Sequence, residues 1–463
     1  MDTSRRSFLV GAASGFSVLM LAACTDQDPP RPTPTPTGGV DNAVPAPLAS
    51  VRTSWGTDPF SRGSSSFLPV GSSPAQRVVL AEPLQNRVFF AGEATSLEHP
   101  NTVRGAQESG ARAAAELDLV ADEDERVIVV GAGIAGATAA RRLADAGYQV
   151  QVVEARDRTG GRIVTVRPEE WPIPLQLGAA WVPDSETNAL LEQLTLLGIR
   201  TVAAVEPPLA LAGSGEPVDL AIGSTSVADA VELAAEAPAD LSLTSALIET
   251  GAAESDDWSV IDAYLAGRIE AVLGAEAAEV SAWYGLEEVP EAPTSRFVLG
   301  NFQSLVDDAL EGVDVAFDTP VTSISYDGEG VSLRLASGES VNADRVVVAV
   351  PLGVLKGEGL AFEPALPFER RAAIAEIGVG VQDVVWLLFD EPFWETDAVL
   401  WNLTGEDVDV PTWVNLEPLS GSPVLGGLII GDNAQRLGEL SEEELIAAAL
   451  ASLRPFLDFV PGS

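Results

Sequence analysis

RVIVVGAGIAGATAARRLADAGYQVQVVE, residues 126–154, decides the fold. Arg126 to Val130 is an unbroken run of β-formers, the pattern of a strand buried on both faces. Gly131, Gly133 and Gly136 follow at once, with Ile134 and Ala135 between them, and the helix-forming run from Ala137 to Ala146 stops at Gly147. A second strand, Tyr148 to Val153, ends on Glu154. Glycines in this spacing allow a tight turn, a close approach of backbone N–H groups to a pyrophosphate, and close packing of helix on strand. The helix N-terminus adds about half a positive charge. A carboxylate some 20 residues further on, here Glu154, can accept both ribose hydroxyls, so the order strand, glycines, helix, strand and acid reads as an adenine-dinucleotide site.

Composition sets the frame around that motif. The chain has 463 residues, 46% of them hydrophobic, enough for two or three interleaved units with a large core. Its 26 basic and 69 acidic residues give a net charge of -43, and Lys356 is the single lysine. Phosphate contacts need a basic stripe, which excludes a nucleic-acid binder. The acidity could draw cationic ligands or simply solvate the surface in salt. One Cys precludes an internal disulfide, and one His without a second Cys speaks against a metal cluster.

The residues after Glu154 read Glu154-Ala155-Arg156-Asp157-Arg158-Thr159-Gly160-Gly161-Arg162. This run resembles that of the flavin-containing amine oxidase superfamily. The resemblance implies FAD as cofactor, with Ala155, Arg156, Gly161 and Arg162 around its phosphates. Later stretches are similar to the family too. Gln176 to Trp181 matches a segment in which Gln176 replaces the usual acid. Asp318 to Val321 and Ala343 to Leu355 match the second return of the cofactor domain, where the backbone at Val321 would hold the adenine. Ile377 to Trp394 and Pro423 to Ala434 match the substrate-domain sheet.

One set of motifs is displaced. Trp55 to Phe60, Phe89 to Thr95 and Thr102 to Ala106 resemble the family's carboxy-terminal flavin motif, yet here they precede the glycine turn. Circular permutation is the expectation, and a tandem fusion of two incomplete proteins is the alternative. The connector after Leu117 is short, and about eight extended residues span at most ~28 Å. The resemblance places Gly92, Glu93, Thr102 and Val103 at the flavin, with the Val103 N–H toward its pyrimidine edge.

The reactive centre departs from the family. The position of the lysine that holds a water falls on Val384, and the two aromatic-cage positions fall on Ser65 and Thr102. Ser64 stands where monoamine oxidases carry a flavin-bonding cysteine, so a noncovalent FAD is expected. Trp181, Trp386, Trp394, Trp401 and Trp413 are candidates for the substrate wall or for core, and His99 for a proton carrier or a satisfied loop residue. Lys356 reads as surface.

The amino terminus carries an address. Ser4 to Leu9, SRRSFL, resembles a twin-arginine signal, and Leu21-Ala22-Ala23-Cys24 resembles a lipoprotein cleavage site with a lipid on Cys24. Residues 1–23 read as the signal and 24–43 as a Pro/Thr-rich linker, within which Pro29 to Gly39 is a semi-rigid spacer, and the globule should start near Val44.

These readings predict an α/β chain: a doubly wound, Rossmann-like FAD-binding domain from residues 44–199 and 294–360, and a mixed-sheet α+β substrate domain from 200–293 and 361–463. Helical runs Val227 to Glu236 and Glu442 to Leu453 should cover the substrate-domain sheet. The expected function is FAD-dependent oxidation of an amine or related small molecule by a membrane-anchored, exported lipoprotein. A flavin-binding lipoprotein with little turnover and a dehydrogenase serving an acceptor other than oxygen stay open as alternatives.

Overall fold

Five short apolar runs form one parallel sheet: β1 (Val88–Phe90), β2 (Arg126–Val130), β3 (Gln149–Val153), β4 (Asp314–Ala316) and β5 (Arg345–Val348). Their spatial order is β4-β3-β2-β5-β1, every neighbouring pair parallel. The computed structural model describes residues 43–460 apart from 185–187, 205–207, 287–288, 290–294, 406–407 and 458. The signal, Cys24 and the proline-rich spacer lie outside the described residues.

Strand β2 occupies the interior of this sheet, and Val127 to Val129 are fully buried, as the unbroken β-branched run requires. Two helices lie over it, α1 (Val103–Asp118) and α2 (Ile134–Asp145). They meet at backbone distance. A Cβ on Gly110 would lie 2.1 Å from the carbonyl oxygen of Ala135; within α2's own entry turn, one on Gly136 would lie 1.9 Å from that of Gly131. Small side chains along both helices, Ala106, Ala113, Ala114, Ala137 and Ala140, complete the seam.

The link from α1 to β2 is tied down by Arg345 on β5. Its guanidinium pairs with both oxygens of Glu125, at 3.0 Å for Nη2 to Oε1, and Nη2 also donates to the Val120 carbonyl at 2.7 Å.

A second sheet of six strands runs Ala49–Arg52, Gln382–Leu388, Val424–Ile430, Thr412–Asn415, Leu400–Thr404 and Leu209–Ala212. All its pairs are antiparallel except the last, which makes it mixed. Two assignments from sequence shift here. Ala49–Arg52, expected with the cofactor-binding part, is an edge of this sheet, because Val51 and its neighbours pair with strand Gln382–Leu388. Ala361–Glu363, expected with the substrate part, pairs instead with Val321–Tyr326 in a four-stranded sheet.

Helix Glu442–Ser452 covers the six-stranded sheet as expected, burying Leu445 and Ala449 against Trp401 and Leu425. The run around Val227 does not. It forms helix Ala221–Ala235, whose Val227, Ala230 and Ala234 pack against Leu243, Leu247 and Ile261 in a separate helical layer. Its neighbours have the same amphipathic period, so helix on helix satisfies the apolar stripe without a sheet.

That layer contains a π-helical turn, Ala266–Glu270, between helices Trp258–Leu265 and Ala271–Leu273. The Glu270 carboxylate accepts from the Ala277 N–H at 2.8 Å across the turn. Partial burial pushes its pKa up to about 7, a rise that Asp262 and Glu276 reinforce and the Ala277 hydrogen bond opposes. The folded state therefore binds more protons than the unfolded chain between the ordinary glutamate range and about pH 7. Stability contributed here falls as pH rises through that window and levels off above it. The E270Q variant keeps an acceptor for Ala277 but does not titrate, so its Tm should gain on the wild type between pH 5 and 8; parallel Tm profiles for the two proteins would refute this.

Candidate active site

A cavity of about 530 Å³ runs from the glycine turn to the six-stranded sheet. At one end the turn after β2 presents Gly131, Gly133, Ile134 and Ala135. Gly136 sits beneath, where its missing side chain lets α2 start directly on the strand. Gly133 bridges to Gly160, and the Gly160 N–H donates to the Ala132 carbonyl at 2.9 Å, so the Arg158–Arg162 loop closes over the turn.

Glu154, 4% exposed, directly follows β3 in the cavity wall. Its Oε2 accepts from the Ala132 N–H at 2.7 Å and its Oε1 from the Arg156 N–H at 2.9 Å. Arg156 itself pairs with Asp58 at 2.6 Å and reaches Ser61, which fastens the loop to the segment before Ser64. Val321, with Thr319 and Pro320, closes the same end.

Glu93 is the hub in the middle. It follows β1 and Gly92, and its carboxylate accepts from Ser66 Oγ at 2.6 Å, from the Asn101 N–H at 3.1 Å and from Arg162 at 3.1 Å. Burial alone would raise its pKa, but the Arg162 and Arg77 guanidiniums and the Ser66 hydroxyl hold it below the usual carboxylate range. Arg77, fully buried, also donates to Ser66 Oγ at 2.8 Å. The N-terminus of α1 opens on this space. Thr102 caps it, accepting from the Gly105 N–H at 2.9 Å while donating to the His99 carbonyl, and Val103 lines the cavity beside it.

At the far end Val384 and Trp386 line the cavity from strand Gln382–Leu388, together with Trp181, Phe297, Leu400 and Leu428. Ser65 also lines it, its hydroxyl donating to the Leu273 carbonyl at 3.2 Å. The cofactor candidates drawn from sequence thus converge on one cleft, and the three departures, Val384, Ser65 and Thr102, are in its wall. Gln176 meets its environment as an amide. Its Nε2 donates to the Val298 and Gly300 carbonyls while its Oε1 accepts from Thr165, and an acid lacks that donor.

Several candidates lie elsewhere. Trp394, Trp401 and Trp413 are core: they pack with Phe389, Leu425 and Phe456 on the opposite side of the sheet, and Trp401 stacks on Phe456 at 4.2 Å. An indole offers the largest apolar area to bury, so sheet tryptophans settle in the core unless alternation turns them the other way. His99 pairs with Glu108 at 2.8 Å on the outer side of α1 and is not part of the cavity wall. The Lys356 ammonium donates to the Ala375 carbonyl, and the lysine is exposed, as its surface reading expected. Sequence reading missed Arg77 and Asn101, which no motif marks, and the π-turn residues Gly267 and Arg268, whose place on the wall depends on helix packing.

The residues fit a dinucleotide with an extended ring system. The glycines leave backbone open to the cavity, the buried Glu154 waits at a strand end, and Arg156 and Arg162 line the middle. Such a cleft, with an apolar chamber beyond the ring site, defines a flavoprotein oxidoreductase. The chain belongs to the flavin containing amine oxidoreductase family, whose model matches residues 35–118 and 134–462, and FAD is the cofactor of that family.

Among curated relatives, polyamine oxidase 4 of Oryza sativa subsp. japonica is 28% identical over 72% of either chain, and polyamine oxidase 2 of Arabidopsis thaliana is 29% identical with the same coverage. Among solved structures, wild-type putrescine oxidase bound to putrescine superimposes with a TM-score of 0.58 at 24% identity, covering 72% of this chain and 82% of that one. This last likeness is one of fold.

The Glu93 hub yields a test. In E93Q the charge opposite Arg162 is lost, and the dissociation constant for FAD should rise about tenfold, as for removal of a charge-assisted hydrogen bond. A carboxylate with a depressed pKa stabilises the fold above the ordinary range near pH 4.5 and loses that contribution as pH falls through its folded value. Equilibrium dialysis and unfolding curves at pH 7 and below 4.5 check both; an unchanged FAD affinity counts against the hub.

Proposed function

We propose that this protein oxidises an amine with noncovalently held FAD. The observation that carries the reading is the single cleft joining the Gly131–Gly136 turn and Glu154 to an apolar chamber floored by Val384 and Leu428. FAD, when bound, supplies the two-electron acceptor for a hydride taken from the carbon beside the substrate nitrogen. The chain's own residues bind and orient. Glu154 would hold the ribose, Arg156 and Arg162 the phosphates, and the backbone at Val321 the adenine. The α1 N-terminus, reached through Thr102 and Val103, turns its partial positive charge toward the ring site. Ser64 supports a noncovalent cofactor, since a hydroxyl there offers no thiolate to bond the ring.

Val384 cannot hold a water by hydrogen bonding. This favours the second reading, a dehydrogenase that passes electrons to an acceptor other than oxygen. A flavin-binding lipoprotein with little turnover is the remaining alternative. The purified protein should carry a flavin visible spectrum, and an amine from a panel should bleach it anaerobically. A protein without flavin sinks the proposal, as does one that no amine reduces. Peroxide yield compared with reduction of an artificial dye separates oxidase from dehydrogenase.

We also read the chain as a circular permutation of the family order with a doubly wound cofactor domain. Three observations support this. The family model matches two separate blocks, residues 35–118 and 134–462, which part at the connector and strand β2. Strand β1 and helix α1 complete the parallel sheet and its helical cover from the amino-terminal side of that turn. Val44 near the start and Phe456 near the end belong to one hydrophobic cluster, and Ser50 and Arg52 on the first strand donate to the Glu442 carboxylate and the Leu440 carbonyl, which brings the chain's first strand against the start of its last α-helix. A relinked gene, with residues 44–118 placed after residue 457, should yield a protein with the same flavin spectrum and a Tm within a few degrees. Failure of the relinked chain to fold counts against permutation.

Export and a lipid on Cys24 are part of the proposal, supported by Arg5, Arg6 and the Leu21–Cys24 ending.

A further inference from the structure

The chamber ends on an indole. Strand register places Trp386 across from Gly426, followed by Val414 and Leu400 on the same face of the six-stranded sheet. Gly426 is what allows the ring to lie down on the sheet: a Cβ there would stand 2.4 Å from Trp386 Cζ3. The indole N–H donates to the Gln176 carbonyl at 2.9 Å. Phe297 abuts the ring nearly edge-on at 76°, with centroids 6.3 Å apart, and Trp181 backs Phe297 at 5.0 Å. A hydrogen bond, a glycine seat and an aromatic edge thus fix the ring in one orientation.

Trp386 lines the cavity yet is only 2% exposed. It offers a ligand almost no area to cover, so it acts as a stop rather than a platform. The surface left to a substrate comes from the partly exposed Trp181, Leu400 and Leu428 in front of it. We infer that Trp386, seated on Gly426, sets the length limit of the substrate, and that the substrate is a compact amine with an apolar body. This inference rests on the amine-oxidation reading and names the substrate class for it. A chain that reaches the ring must either stop or displace a side chain held on three sides, and overpacking a fixed site is unfavourable.

The test uses the purified holoprotein and straight-chain primary amines from butylamine to octylamine. In the wild type, kcat/KM should rise with length and then fall past a fixed chain length, the loss coming from a rising KM rather than a lower kcat. In W386A the optimum should move to longer chains. Each methylene newly buried is worth roughly a fourfold gain in affinity, so two carbons improve the octylamine to butylamine ratio by about 15-fold. W386F, which keeps an aromatic ring in the core, guards against misfolding and should shift the optimum the same way by less. G426A, which lifts the ring off the sheet, should shift it toward shorter chains.

The same series is repeated with 1,1-dimethylalkylamines, which have no hydrogen on the carbon beside nitrogen, and their dissociation constants are read by calorimetry. If no amine is oxidised, the catalytic reading fails while this binding series still decides the stop. A length profile unchanged between wild type and W386F, in turnover where present and in binding, overturns the inference.

Discussion

The structure depends on two helices touching at their backbones. Helix α1 belongs to the segment before the glycine turn and α2 to the segment after it, and Gly110 meets the Ala135 carbonyl so closely that a methyl group at residue 110 has no room. A side chain at that crossing would pry α1 away from the sheet. With it would go the helix N-terminus at Thr102, the Glu93 loop and half of the cofactor cleft. Alanines along the rest of the seam serve the same end, because close approach gains dispersion contacts that larger side chains would hold apart.

Charge inside the cleft is arranged around a comparable economy of space. In a protein with a net charge of -43, the middle of the cavity is nevertheless lined by Arg156 and Arg162. Each is oriented by a carboxylate, Asp58 for the first and Glu93 for the second. Those pairings hold two positive charges in fixed places on the cavity wall.

The cofactor end was legible in the sequence because its requirements are local. A strand, a glycine turn, a helix and a terminal acid occupy one continuous stretch, and Gly131 to Gly136 and Glu154 fell where the pattern put them. Gly92, Glu93 and Val103, again from one short stretch, line the same cavity. The substrate end was not, since its wall is assembled by alternation and register across distant strands. Trp386 and Trp413 look alike in sequence, yet one faces the chamber and the other the opposite core. Edge strand Ala49–Arg52 joined an unexpected sheet because four residues carry too little pattern to name their partner.

Strand β5 is the last of the parallel strands in the chain, yet it lies between β2 and β1. Segments 88–153 bring α1 and α2 together from residues close in sequence, but they leave a gap in the sheet that Arg345–Val348 fills. The same strand brings Arg345 to the connector at Glu125 and Val120. Completion of the sheet and fastening of the connector are therefore one event, which couples a long loop closure to the local order of the polypeptide.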